Sequence, residues 1–258
     1  MTERTGFTIR GLTLELLGRL LGVPVRGYPL QLPYPGGDRV ATPHVAERAH
    51  EELVSNGLAD EHRLKDEVRE AVLLLGEPEV AVGILANDSR GEWLARAVSG
   101  GDRVVLAEQL GDTVEFTWLS AEDWHFRLAG MLPVMRPAAG NAVSTTRAAS
   151  NEPGADEGAE PVLLHNGRAA RDSSDMRDVA RVFAARRNGS GHFAPRVTGP
   201  SGGPRDLPAL SWVDTELGCY AVRDEPVCDH NRTTFTPVDN SELGRLLRDH
   251  LTTGGPRR

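Results

Sequence analysis

Thr113-Val-Glu-Phe-Thr-Trp-Leu-Ser-Ala-Glu-Asp123 runs into Trp124-His-Phe-Arg-Leu-Ala-Gly-Met-Leu132, and the fold turns on reading that stretch twice. Near the other end of the chain, Thr233-Thr-Phe-Thr-Pro-Val-Asp-Asn-Ser-Glu242 runs into Leu243-Gly-Arg-Leu-Leu-Arg-Asp-His-Leu251. Laid one on the other, Phe116 meets Phe235, Thr117 meets Thr236, and Ser120 meets Asp239. Leu128 then meets Leu247, and Leu132 meets Leu251. Each copy reads as a short strand, a polar helix cap and an amphipathic helix. Two copies predict a quasi-two-fold molecule of duplicated αβ halves.

Working outward, Val80–Leu85, Glu92–Val98, Arg103–Glu108 and Thr113–Leu119 read as four strands of an antiparallel meander, with turns at Asn87–Gly91, Gly100-Gly101 and Gly111-Asp112. Phe7–Arg10 reads as an earlier strand. A Leu-rich helix follows to Leu21, with Thr13 as its expected N-cap. Helices from Thr42 to about Asn56 and from Lys65 to Leu75 follow from capping and apolar spacing. The second half opens on a helix at about 174–187 and continues through strands at 189–197, 208–213, 219–222 and 233–238, with 198–204 as a Gly/Pro loop. Residues 137–160, rich in Ala, Gly, Ser and Asn with a late acidic run, read as a flexible acidic linker. The expected organisation is a first αβ half over 1–136, that linker, and a second αβ half over 161–258, all one integrated domain. The fold class is α+β, a mostly antiparallel central sheet with packed helices.

The 258 residues carry a formal net charge of −8, which opposes the counterion release that drives nucleic-acid binding and disfavours anionic membranes. No stretch reaches the ~20 apolar residues that span a bilayer. Glu15 and Arg19 interrupt the only N-terminal apolar run, so no signal peptide is expected and the protein reads as cytoplasmic. Two cysteines, Cys219 and Cys228, read as ordinary thiols of a reducing compartment.

Few motifs carry chemistry. Asp214-Thr-Glu-Leu-Gly218 lacks the glycine after Thr of an aspartic-protease site and reads as a structural turn held by Asp214 and Gly218. Cys219, Cys228 and His230 lack the spacing of a zinc site, and no Gly-rich phosphate loop is present. No catalytic residue, cofactor or metal is expected. Trp93, Trp118, Trp124 and Trp212 are core candidates, some of which could anchor a partner.

The block from Gly191 to Leu251 resembles the EspG family. Gly191-His-Phe, Arg196, Arg205 and above all Pro208-Ala-Leu-Ser-Trp-Val-Asp-Thr-Glu-Leu-Gly-Cys-Tyr220 carry the likeness, completed by Thr234-Phe-Thr-Pro-Val-Asp239. Leu12-Thr, Glu15-Leu and Thr117-Trp-Leu-Ser match more loosely. Two departures stand near the last hairpin: Cys219 occupies a position usually basic, and the loop 223–232 is longer than expected. The resemblance implies a cytoplasmic, non-enzymatic chaperone of actinobacterial type VII (ESX) secretion. Its partner would be a helical PPE-like client, alone or as a PE–PPE heterodimer, kept soluble for export. Its fold would be a quasi-two-fold αβ arrangement. A homodimer is compatible with it.

Partner contacts are expected at Asn87, Asp88 and Arg90 of the first turn and at Trp93, Trp118 and Trp212. A small-ligand protein or enzyme on the same scaffold, using Asp214, Cys228 and His230, is the competing reading.

Overall fold

The computed structural model describes residues 6–33, 43–60, 63–148, 174–199, 203–227 and 230–254. In chain order the elements are β1 (Gly6–Arg10), α1 (Gly11–Leu21), α2 (Pro43–Ser55), α3 (Asp66–Gly76), β2 (Val80–Asp88), β3 (Gly91–Gly100), β4 (Arg103–Leu110), β5 (Thr113–Leu119) and α4 (Trp124–Met131). Then come β6 (Val143–Ala148), α5 (Ser174–Ala184), β7 (Arg187–Thr198), β8 (Pro204–Asp206), β9 (Leu210–Thr215), β10 (Gly218–Val227), β11 (His230–Pro237) and α6 (Asn240–Gly254).

All eleven strands join one sheet, in the order β1-β5-β4-β3-β2-β7-β9-β10-β11-β6, with β8 beside β7. The seam at its centre is the antiparallel β2–β7 ladder, from Val80↔Val197 to Asp88↔Gly189. On each side of the seam stands a three-strand meander, and outside it an edge strand from earlier in the chain. Gly-Asp pairs at 101–102 and 111–112 close the two-residue β3–β4 and β4–β5 turns.

Strand alternation sorts the core into layers. Val82, Ile84 and Ala86 of β2 point to one face, where α4 and α6 pack through Leu128, Ala129, Leu243 and Leu247. Ala81 points to the other, where Val68, Val72 and Leu75 of α3 meet Leu14 and Leu17 of α1. On the far flank of that second face, α5 lays Val179 and Val182 on Tyr220, Val222 and Phe235. Phe116 and Phe235, aligned in the sequence, are both buried, and so are Leu128 and Leu247. Ser120 Oγ accepts from the Glu122 amide at 3.3 Å, as Asp239 Oδ1 accepts from Glu242 at 2.8 Å.

Several expectations change here. Thr13 is not a cap: α1 starts earlier, at Gly11, and Glu52 reaches across from α2 to its N-terminus. Glu52 takes the Arg10 amide at 2.8 Å and the Thr13 hydroxyl at 2.6 Å, placing a carboxylate at the positive end of the helix. The stretch 137–160 is not a linker at its start. Arg136 to Ala138 lies along Cys219, with Cys219 N–H to Arg136 O at 2.8 Å, and Val143–Ala148 forms β6 on β11. The rest of that stretch lies outside the described residues. The anticipated loop 223–232 is mostly strand, since β10 and β11 pair from Tyr220↔Pro237 to Val227↔His230. Part of the 198–204 loop is likewise strand, where Pro204 of β8 pairs with Thr198.

Candidate functional site

The first hairpin is tighter than its sequence suggests. Asn87 and Asp88 belong to β2, and only Ser89 and Arg90 turn between Asp88 and Gly91. The Asp88 carboxylate accepts the Arg90 amide at 2.7 Å and the Arg90 guanidinium at 2.7 and 3.1 Å. Those bonds hold its carboxyl below the usual range. The Asp88 side chain is 6% exposed and that of Arg90 57%. Arg90 also donates to the Met131 carbonyl at 3.3 Å, tying the hairpin tip to the end of α4.

Beside that tie lies a cleft of about 330 Å³ between α4 and strands β4 and β5. Leu106, Thr117 and Leu119 line it from the sheet, Phe126 and Met131 from the helix. Its charged groups are Glu108 and Arg127. The half-buried Trp93 indole donates to Glu108 at 2.8 Å, which orients the carboxylate at the cleft wall. Phe126 is wedged against Gly244 of α6, with the Arg248 guanidinium 5.7 Å from its ring centre. Asn87 is exposed, but it shares the strand parity of Ala81 and so lies on the face of the sheet away from this cleft.

The three expected tryptophan anchors do not share a surface. Trp93 sits on the α4–α6 face. Trp118 sits on the opposite face, half-buried, with the Arg103 guanidinium 4.3 Å from its ring centre. Trp212 is no anchor at all. It is 3% exposed and tilted against Phe193 at 4.9 Å. It lies opposite Gly191 in the β7–β9 ladder, where a Cβ would come 2.4 Å from the indole. The glycine leaves the space that the indole fills.

Asp214 is not in the turn. It lies in β9 opposite Cys219, and the two-residue turn is Glu216-Leu217. Burial raises its pKa, opposed by hydrogen bonds from Asn188 and the Thr215 amide. The turn's side-chain bonds come from Thr215, whose hydroxyl donates to Gly218 O at 2.9 Å and accepts from Leu217 N at 3.2 Å. Gly218 has φ +116°, and a Cβ there would lie 2.5 Å from Ala138 Cα.

The thiol of Cys219 is fully buried, 3.6 Å from Met135 Sδ, and its pKa is pushed up by burial and by Asp214. Cys228 lies outside the described residues. Its neighbour Val227 ends β10 about 27 Å along the strand from Cys219. Among the described residues no three His, Cys, Asp or Glu side chains converge as a metal site would require. No described helix is long and apolar enough to cross a membrane.

One polar cluster was not anticipated. The segment after α1 crosses the second face of the sheet, and Tyr28 stacks on His192 of β7 with its hydroxyl 2.5 Å from Nε2. Arg96 donates to the Tyr28 carbonyl at 3.1 Å. Burial lowers the His192 pKa, while burial and the charge of Glu92 raise that of Tyr28. Tyr28 lies within the Pro-punctuated stretch 24–35, and nothing in that pattern points to β7. Glu108, Phe126 and Met131 were also missed. The only trace is that α4 carries apolar residues off its buried stripe, at Phe126 and Met131.

The EspG family profile matches residues 11–249. Among solved structures, the fold is similar to that of the Mycobacterium tuberculosis type VII secretion system chaperone EspG5, determined in complex with the PE25-PPE41 dimer. The TM-score is 0.67 at 13% sequence identity, covering 96% of each chain. No curated protein matches significantly.

Proposed function

Since the chain belongs to the EspG family, we propose that it is a cytoplasmic type VII secretion chaperone that binds a PPE-type client, as a PE–PPE pair, and keeps it soluble before export. The match across 11–249 is the observation that carries this reading, because it includes both flanks of the sheet. The likeness to a chaperone solved with a PE–PPE dimer supports the choice of partner. The work asked of the protein is burial, not turnover. A helical client with an apolar tip self-associates unless that tip is covered. Release must follow, so a moderate interface is the useful one.

The contact surface is proposed at the first hairpin and the adjoining cleft: Asp88 and Arg90 at the tip, Trp93 and Glu108 at the wall, Phe126 and Met131 on the helix. Asn87 and Trp118 face the other way and Trp212 is internal, so this proposal leaves the three out. Arg90 presents its charge at the tip, so Arg90→Glu reverses that charge and also removes the ties to Asp88 and to the Met131 carbonyl.

The experiment is co-purification from the native host with a tag on this chain and mass spectrometry of what accompanies it. A PPE-like helical protein in near-equal amount is expected, with its recovery reduced at least about tenfold by Arg90→Glu. A client neither retained nor solubilised, even with the neighbouring secretion genes co-expressed, overturns the proposal.

A further inference from the structure

Val134 is the most exposed large apolar side chain among the described residues, at 91%. Its backbone is nevertheless clamped. Asn240 of α6 brackets it, donating to the Pro133 carbonyl at 3.0 Å and accepting from the Met135 amide at 2.9 Å. Met135 is buried, its sulfur 3.6 Å from the Cys219 thiol. The Pro133 ring fixes a backbone torsion on the other side, and a β-branched side chain is stiff at χ1. The frame therefore holds an apolar group in solvent at a set place. Beyond it the chain bridges in parallel to β10 at Pro137 and Cys219, with Cys219 N–H to Arg136 O at 2.8 Å. That bridge runs Val134 alongside the β9–β10 turn, where Leu217 is also exposed. The Thr215 hydroxyl takes the Leu217 amide at 3.2 Å, so this second apolar group is held as well.

We propose that Val134 and Leu217 are apolar anchors for the client, and that the client segment they take is an apolar helix tip with acidic neighbours. This rests on the chaperone reading and carries its contact surface round the end of the sheet, from the first hairpin to the second half of the chain. Continuity supports it. Val134 is three residues past Met131, which lines the cleft and whose carbonyl takes Arg90. Rigidity supports it too, because an anchor already fixed in place loses little freedom on binding. The charge around the pair sets the partner's chemistry. Arg136, Arg186 and Arg187 are exposed there, and Glu216 N donates to Arg186 O at 3.1 Å. The nearby carboxylates are Glu216 and Asp214, the latter half-buried and bonded by Asn188. Arginines thus outnumber acids at this spot on a chain of net −8. Leu20 is the contrast: it is exposed on α1, a helix packed on the opposite face of the sheet.

The test uses the full tagged chain in its native host, and the probe is the helical protein that co-purifies with the parent chain. Val134→Glu with Leu217→Glu should cut its recovery at least about tenfold, while the unfolding temperature holds because neither side chain is in the core. Leu20→Glu should leave recovery unchanged. A benzoylphenylalanine photo-crosslinker at position 134 should join the chain to that same protein, and one at position 20 should not. Arg186→Glu with Arg187→Glu should weaken recovery more in about 0.05 M than in about 0.5 M salt. A client recovered with the parent chain and equally with the Val134–Leu217 variant, or no cross-link at 134, overturns this inference and leaves the chaperone reading standing. Arginine variants without effect at low salt overturn the acidic character assigned to the partner. A parent chain that retains no client takes both readings down together.

Discussion

Thr215 shows what a single hydroxyl does in this fold. It is 3% exposed and holds both sides of the β9–β10 turn. Thr215→Val keeps the shape and removes both bonds, so a loss of about 1–2 kcal/mol is expected in urea unfolding. Gly218, three residues on, combines a positive φ with backbone contact to Ala138. Gly218→Ala should cost about 3 kcal/mol, with overpacking and strain both contributing. Asp214 behaves differently. Burial raises its carboxyl pKa, and hydrogen bonds from Asn188 and the Thr215 amide offset part of that, so the charge adds little net stability. Asp214→Asn should leave unfolding within about 1 kcal/mol of the parent. Many residues that carry the family likeness are therefore parts of the frame. Gly191 makes room for Trp212, Thr215 staples a turn, and Gly218 admits the segment at Ala138. Their motif was legible in the sequence, but which of them were internal was not. The face a tryptophan takes depends on its parity relative to its neighbours, and that is set by the pleat.

Histidines add a pH dependence. His192 lies against Tyr28, and burial lowers its pKa. His125, buried in α4, is lowered by burial and Arg248, against smaller opposite effects of Asp123 and Asp249. A base with a depressed folded pKa binds fewer protons folded than unfolded. The stability associated with neutral imidazole is therefore full above about pH 6.5 and falls as pH drops below that value towards the folded pKa. Stability measured from pH 7.5 to 5 should decrease, and His192→Gln should flatten part of the slope. An unchanged slope would mean that other groups carry it.

Among elements, the α4–α6 junction depends on Asn240. Its amide donates to Ala129 O at 2.8 Å and Pro133 O at 3.0 Å, and its Oδ1 accepts from Met135 N at 2.9 Å. Asn240→Ala leaves these backbone groups without their partner, and about 2–3 kcal/mol of stability should go with them. Far-UV circular dichroism should stay nearly unchanged while the unfolding midpoint falls. Helices and first-half strands were readable because their apolar periods are regular. β6 was not, because Val143-Ser-Thr-Thr-Arg-Ala has a loop-like composition and becomes a strand only when β11 offers its backbone. The outer β10–β11 ladder was hidden for the same reason, behind Arg223, Asp224, Glu225 and Arg232. The cleft could not be seen at all, since its residues come from three elements whose juxtaposition the local pattern does not encode.

For the molecule as a whole, the strand order is laid out alike on the two sides of the β2–β7 seam. The aligned pairs Phe116 and Phe235, and Leu128 and Leu247, are buried in both flanks. We propose duplication as the origin of this layout, and superposition of the flanks is the measurement that decides it. The segment from 133 to 148 leaves α4, passes Asn240 and Cys219, and reaches the far edge of the sheet at β6. It stitches the flanks together, so a single cooperative unfolding transition is expected.

The seam also has a consequence for synthesis. β2 ends at Asp88 and its partner β7 at Thr198, so 110 residues leave the ribosome between them (198 − 88). At about 5–20 residues per second, a nine-residue strand stands with one side unpaired for roughly 5–20 s. The chain thus begins life with a sticky edge of its own, and a nascent chain stalled before β7 is the form most in need of protection.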